Sequence, residues 1–196
     1  SFLNGVVSAL PTILLVLICT TAIFAQEQGD EYDDGYVYEQ NGAGDQFVKI
    51  NIGLQIPLNF GAQLHNGGSL TLGYYRFLNG WLALGGELSA SYNVSIGNKV
   101  LVMIPVSFGA LFQPSYDKFE FPIYVTMGLG YETWQNMNYY PSFIGKLSAG
   151  AYYRLNEMCS FGLAMEYFFI PETYEDSSKN FCANFIGITI GARYHF

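Results

Sequence analysis

From Gln46 onward the chain runs in segments of roughly ten residues whose apolar side chains fall on every second position, with turn-forming residues between them. In the first, Val48, Ile50, Ile52, Leu54 and Ile56 alternate with Lys49, Asn51, Gly53 and Gln55, so a strand built from it has one greasy face and one polar face. Leu82, Leu84, Leu88, Ala90 and Tyr92 stand in the same way against Ala83, Gly85, Glu87, Ser89 and Ser91. The pattern is strongest where Val100, Val102, Ile104, Val106, Phe108 and Phe112 are followed by Phe119, Phe121, Ile123, Val125, Met127, Leu129 and Tyr131. Three more segments close the chain: Leu147 to Tyr153, Phe161 to Phe169, and Ile186 to Phe196. With Leu70, Leu72 and Tyr74 the pattern predicts eight strands, an even number as closure of an antiparallel membrane barrel normally requires.

Connector lengths alternate too. Residues 78–80, 114–117 and 155–157 read as tight turns and residues 58–68, 133–142 and 171–181 as long loops, with 94–98 short on the long-loop side. Tight turns belong to the periplasmic end of such a barrel and long loops to the outside, which places both chain ends in the periplasm.

A soluble barrel with a lined cavity would invert this pattern, with apolar residues inward and polar ones in water. Composition decides between the two. Of 196 residues 51% are hydrophobic and 12% charged, and the polar faces consist of Gly, Ser, Thr and a few ionised groups. Such faces are too small to solvate an exterior but suit a narrow lumen, so the apolar faces must meet lipid. Aromatic residues cluster at strand ends, with Trp81, Phe112, Phe119, Tyr153, Tyr194 and Phe196 towards the tight turns and Tyr92, Tyr131, Tyr167 and Phe169 towards the loops, as in the girdles at two bilayer interfaces.

Upstream, residues 1–25 are uncharged and centre on Ile13-Leu14-Leu15-Val16-Leu17-Ile18, ending in small residues up to Ala25. This reads as a secretory signal peptide, the run being short for a spanning helix and interrupted by Pro11. An uncleaved anchor, or an acylation site at Cys19, are the alternatives. Residues 26–45 hold Glu27, Asp30, Glu31, Asp33, Asp34, Glu39 and Asp45 without one basic residue, and these seven leave only −1 of the net −8 to the rest of the chain. The reading is an acidic, disordered periplasmic tail, since its spacing lacks the ligand pattern of a calcium loop. No basic cluster exists to neutralise phosphates, which argues against nucleic acid. Cys19, Cys159 and Cys182 match no zinc or disulfide framework, and no cofactor or metal is indicated.

The segment from Gln46 to Phe196 resembles the small outer-membrane β-barrel family of OmpA, OmpX and OmpW type. Ile190-Gly191-Ala192-Arg193-Tyr194-His195-Phe196 is similar to the family's C-terminal signal, which implies reading of Tyr194 and Phe196 by the barrel assembly machinery. Gly73-Tyr74-Tyr75-Arg76-Phe77 and Met127-Gly128-Leu129-Gly130-Tyr131 look most like the OmpW branch.

Within the expected lumen, a three-residue turn at 155–157 puts Lys146 opposite Glu166, and one at 78–80, with Gly80 left-handed, puts Glu87 opposite Thr71. Lys49 and Arg193 point inward near the periplasmic mouth. Such groups can gate a pore, but more often they neutralise one another in a packed interior. His65, near Ser69, and His195 lack the partners of a lipid-modifying Ser-His site, and Cys159 and Cys182 fall at opposite barrel ends, too far apart for a bond. The leading expectation is an outer-membrane barrel forming a narrow, OmpW-like passage for small apolar solutes. Its rival is a closed structural or adhesive barrel whose third outer loop, with Trp134, Met137, Tyr139 and Tyr140, contacts a host or partner surface. An enzyme acting on membrane lipid comes third.

Overall fold

A computed structural model describes residues 41–60, 63–95, 97, 99–134, 137–172 and 181–196, with the backbone alone at 134, 137–141 and 172. The signal segment and the spacer through residue 40 lie outside the described residues. Strands follow the alternation: β1 Gln46–Pro57, β2 Gly67–Asn79, β3 Leu82–Val94, β4 Val100–Phe112, β7 Ile123–Trp134, β8 Met137–Arg154, β9 Cys159–Glu172 and β10 Phe181–His195, with a small extra hairpin of β5 Ser115–Tyr116 and β6 Phe119–Glu120. Each long strand pairs antiparallel with its neighbour, and β1 closes on β10 from Phe47↔His195 to Pro57↔Phe185. The result is an eight-stranded closed barrel, with both strand termini at one end, here the terminal end, and the other end distal.

Closure leaves no edge among the eight long strands, so the backbone groups of the wall can pair within it, as a bilayer demands. The two faces divide as the sequence pattern predicts: Ile190 is 65% exposed while its neighbour Thr189 is 1% exposed. Leu54, Leu88, Val106, Phe108, Leu129, Leu147 and Leu163 join it in a continuous outward apolar belt that only lipid can cover. Aromatic rings border the belt. Trp81 meets Phe112 at 5.4 Å and Phe119 meets Tyr153 at 5.3 Å at the terminal end, and Tyr92, Tyr131, Tyr167 and Phe169 are exposed towards the distal one.

Four local features differ from the sequence expectation. At 78–80 and 155–157 the turns form one residue later, because Asn79 Oδ1 accepts the backbone N–H groups of Trp81 and Leu82 (3.1 and 2.9 Å) and Asn156 Oδ1 those of Met158 and Cys159 (3.0 and 2.7 Å). An Asn side chain that caps the two amides following it is an Asx turn, and it replaces the left-handed glycine: positive φ among the described glycines falls at Gly44 and Gly97, not Gly80. Both registers slip by two residues, so Glu87 faces Gly73 rather than Thr71, and Lys146 faces Phe168 while Glu166 faces Ser148. An even slip keeps every side chain on its predicted face.

The segment expected to run unbroken from Phe119 is interrupted at Phe121-Pro122, where Pro122 has no N–H to give a ladder. The expected loop 133–142 is instead mostly strand, since β7 and β8 continue past a bulge at Gly130/Glu132 to the pair Trp134↔Met137. The end of the acidic spacer is ordered against the wall. Phe77 donates to the Asp45 carbonyl (2.8 Å), Gly44 donates to the Phe77 carbonyl (2.9 Å), and Asn41, with φ +61°, is buried.

Candidate functional site

Inward side chains fill the barrel in layers. At the terminal end Glu120 pairs with Arg154 and, at 3.2 Å, with Arg193 Nη1, which also donates to Gln113 Oε1 at 2.7 Å. Arg193 lies over the Tyr152 ring at 3.8 Å, and Arg154 Nη2 donates to Asn41 Oδ1 at 3.2 Å. β2 and β8 stand on opposite sides of the barrel, so residues 41–45, bonded to Phe77 on one and Arg154 on the other, form a strap beneath the mouth. Above it Phe47, Tyr75, Phe77, Ala83, Leu111 and Tyr124 pack into a buried aromatic layer.

The central layer is ionic. Glu87 bridges Lys49 and Lys146, both fully enclosed, and accepts the Tyr75 hydroxyl at 2.6 Å. Lys49 Nζ also sits 3.6 Å over the Tyr124 ring. Gly73 makes room for this: a Cβ there would stand 2.8 Å from Lys49 Cε. Glu166 accepts from Asn51 Nδ2 at 3.4 Å, and Tyr152 donates to Asn51 Oδ1 at 3.1 Å, so the layer balances two cations with two carboxylates. Charges so enclosed persist when paired, as Glu87 is with both lysines, whereas Glu166 is held by the Asn51 amide. The expected Lys146 and Glu166 pair is replaced by Lys146 and Glu87, a consequence of the slipped turns.

Towards the distal end the interior turns apolar, with Leu101, Met103, Ile144, Phe168, Ile170, Ala183 and Phe185 as its core. A cavity of about 440 Å³ opens there, lined by Phe60 and Gln63 of the first connector, Leu101 and Met103 of β4, Glu132 of β7, Ile170 of β9 and Phe181 and Phe185 of β10. Glu132 is 3% exposed and accepts the Ser142 hydroxyl at 2.7 Å.

The sequence-predicted residues therefore separate into three groups. Lys49, Glu87 and Lys146 are brought together at mid-barrel, Glu166 lies in the same layer, and Arg193 belongs to the terminal cluster. The side chains of Trp134, Met137, Tyr139 and Tyr140 lie outside the described residues, although their backbones prolong β7 and β8. Tyr194 lies at the end of the last strand and Phe196 just beyond it, where Phe196 N–H bonds the Gln46 carbonyl at 2.9 Å. His195 stacks on Phe47 at 5.1 Å and His65 is exposed in the first connector, at opposite ends. Cys159 and Cys182 are free thiols, and among the described residues no cluster of metal-binding side chains occurs. Glu120, Arg154, Gln113 and Tyr75 were missed as partners, although strict alternation through Phe119, Phe121 and Tyr153 marks Glu120 and Arg154 as inward.

No curated protein shows significant sequence similarity to the chain. Solved structures do share its fold. Neisserial surface protein A superposes with a TM-score of 0.63 at 10% identity, covering 78% of this chain and 99% of the other. The outer membrane protein OprG of Pseudomonas aeruginosa gives 0.51 at 14%, covering 81% and 99%. Ail, the attachment invasion locus protein of Yersinia pestis, gives 0.51 at 15% in its complex with the heparin analogue sucrose octasulfate, covering 78% and 99%. A protein-family profile also matches residues 28–194, from within the acidic spacer through the last strand. The closed barrel with its outward apolar belt is therefore the fold of the small eight-stranded outer-membrane β-barrel proteins.

Proposed function

We propose that this outer-membrane protein is a barrel closed to through-flow that works at its distal, cell-surface face, where its outer hairpins contact a host or partner surface. The observation that carries the reading is the filled interior: Arg193, Phe47, Tyr75, Tyr124 and Tyr152 are each less than 2% exposed, and the ionic layer above them is internally neutralised. Eight strands leave an interior that side chains just fill. The terminal end then faces the periplasm, where Tyr194 and Phe196 meet the assembly machinery, and the distal ends of β7 and β8 stand outside. That the Ail structure holds a heparin analogue supports a ligand-contacting outer face in this fold.

Planar-bilayer recording with the purified full chain tests it. The expected result is no single-channel step above the bare membrane. Reproducible steps abolished by Tyr124→Trp would overturn closure. Combined Trp134→Ala, Tyr139→Ala and Tyr140→Ala is expected to reduce adhesion of producing cells with barrel content unchanged. The second reading, an OmpW-like passage for small apolar solutes, is favoured by the distal cavity, and uptake of a labelled alkane into producing cells distinguishes it. Membrane lipid is expected to remain chemically unchanged in such cells.

A further inference from the structure

The chain holds four Asn-Gly dipeptides, and three lie among the described residues: 41–42 in the strap, 66–67 where the first connector enters β2, and 79–80 in the β2–β3 turn. An Asn followed by Gly is open to attack on its side-chain amide by the next backbone nitrogen, because glycine has no side chain to shield that nitrogen. At 41–42 both reacting groups have partners that favour the step. A turn over residues 42–45 is closed by Asp45 N–H to the Gly42 carbonyl at 3.1 Å, with Gly44 at φ +103°. It folds the Asp45 carboxylate back onto Gly42, whose N–H donates to Oδ2 at 3.0 Å. On the other side Asn41 Oδ1 accepts from Arg154 Nη2 at 3.2 Å, and the ion pair with Glu120 fixes that guanidinium. Asn41 is 3% exposed, whereas Ala43 beside it is open to water. The other two dipeptides lack this arrangement: Asn66 is exposed and Gly67 begins β2, and Asn79 Oδ1 is taken up by the amides of Trp81 and Leu82.

A carboxylate on the attacking N–H is a general base already in place, and a guanidinium on the amide oxygen stabilises the charge that develops there. We infer that Asn41–Gly42 is a self-modifying site, at which the strap converts its own Asn41 to aspartate or isoaspartate through a succinimide. Asp45 Oδ2 takes the Gly42 N–H proton as that nitrogen closes on Asn41 Cγ, and the former amide oxygen, negative in the tetrahedral intermediate, stays on Arg154 Nη2. Asp45 then returns the proton to the departing Nδ2, which leaves as ammonia and completes the succinimide ring. Water opens the ring at one of its two carbonyls, so the balance is one water consumed and one ammonia released. An aspartyl product sets a carboxylate against Arg154, and an isoaspartyl product lengthens the backbone of the strap. The inference goes beyond the closed-barrel reading and is independent of it, since a conducting barrel would overturn closure and leave the chemistry of the strap standing.

The test incubates the full chain, folded in lipid nanodiscs at neutral pH, and follows each Asn-Gly peptide by mass spectrometry with separation of the aspartyl and isoaspartyl forms. Burial alone predicts that Asn41 is the slowest of the three. The inference predicts the reverse: Asn41 is expected to convert at least about tenfold faster than Asn66 and Asn79, the low end of what a positioned base supplies. In the urea-unfolded chain the three are expected to convert at similar rates. Asp45→Asn keeps an oxygen for the Gly42 N–H but removes the base, and is expected to slow Asn41 about tenfold while leaving Asn66 and Asn79 unchanged. Barrel folding is followed by heat-modifiable gel migration. Conversion of Asn41 no faster than that of Asn66 and Asn79 in the folded protein, a rate that unfolding leaves unchanged, or an unaltered rate in Asp45→Asn would each overturn the site. Should Asp45→Asn not fold, Gly44→Ala, which strains the turn that carries the carboxylate, takes its place: slowing of Asn41 supports the site and an unaltered rate overturns it.

Discussion

Glu87→Gln removes the one carboxylate that joins Lys49 to Lys146 and leaves two ammonium groups in the layer with Glu166 as the remaining described counter-charge. The amide keeps the shape of the side chain and an oxygen for the Tyr75 hydroxyl, so the perturbation is electrostatic rather than steric. Removing one partner of a buried pair costs about 3–5 kcal/mol because the other is left uncompensated. Two pairs share this carboxylate, which sets about 3 kcal/mol as the minimum expected loss. Urea unfolding in phospholipid vesicles, read by fluorescence of the chain's two tryptophans, measures it. The diagnostic arm is Glu87→Gln combined with Lys146→Met, which restores charge balance and is expected to recover more than half of the loss. A single-variant loss below about 1 kcal/mol, or a double variant equal to the sum of its singles, would refute the view that a neutralised layer holds the lumen together.

Ile190→Arg places a charge at the middle of the lipid-facing belt, where it is expected to cost about 2–4 kcal/mol in the same vesicles; a neutral result would mean that lipid does not touch this face. Asn156→Ala loses the acceptor that fixes the β8–β9 turn and is expected to cost about 1 kcal/mol, with the outward residues still shielded from a water-soluble thiol or amine label. Gly191→Val drives a side chain into Asn51 Oδ1 and the Tyr152 hydroxyl, both held by bonds of their own, and is expected to cost about 1–3 kcal/mol or prevent folding on a heat-modifiability gel; full stability would contradict the packed lumen.

Strand number, strand faces and both aromatic girdles were legible from alternation, because a two-residue period survives any even error in register. The partners within the lumen were not, because they depend on where each turn closes. Asn79 and Asn156 set those points through side-chain bonds, and the sequence offers Gly80 as an equally plausible pivot. A slip of two residues moves Glu166 off Lys146 and opposite Ser148 while leaving it inward, so residue placement survives and pairing does not. The distal cavity was likewise out of reach. Its walls come from β4, β7, β9, β10 and the first connector, and no local pattern in any one of them marks the void they enclose. The strap at 41–45 was hidden by composition: the segment reads as a solvated tail, whereas the carbonyl and amide of Phe77 and the guanidinium of Arg154 hold it.

Seven of the eight seams in the wall join strands adjacent along the chain, apart from the small hairpin inserted before β7, and the eighth joins the first strand to the last. Bringing Pro57 to Phe185 closes a loop of more than a hundred residues, which by chain statistics costs roughly 2 kcal/mol more than closing a hairpin of about ten. That seam is therefore expected to zip last, after the other strands have formed a curled ribbon. Until then the ribbon offers two bare edges, β1 and β10, to any template that pairs with strands, and the eleven residue pairs between them convert an open, sticky intermediate into a sealed one.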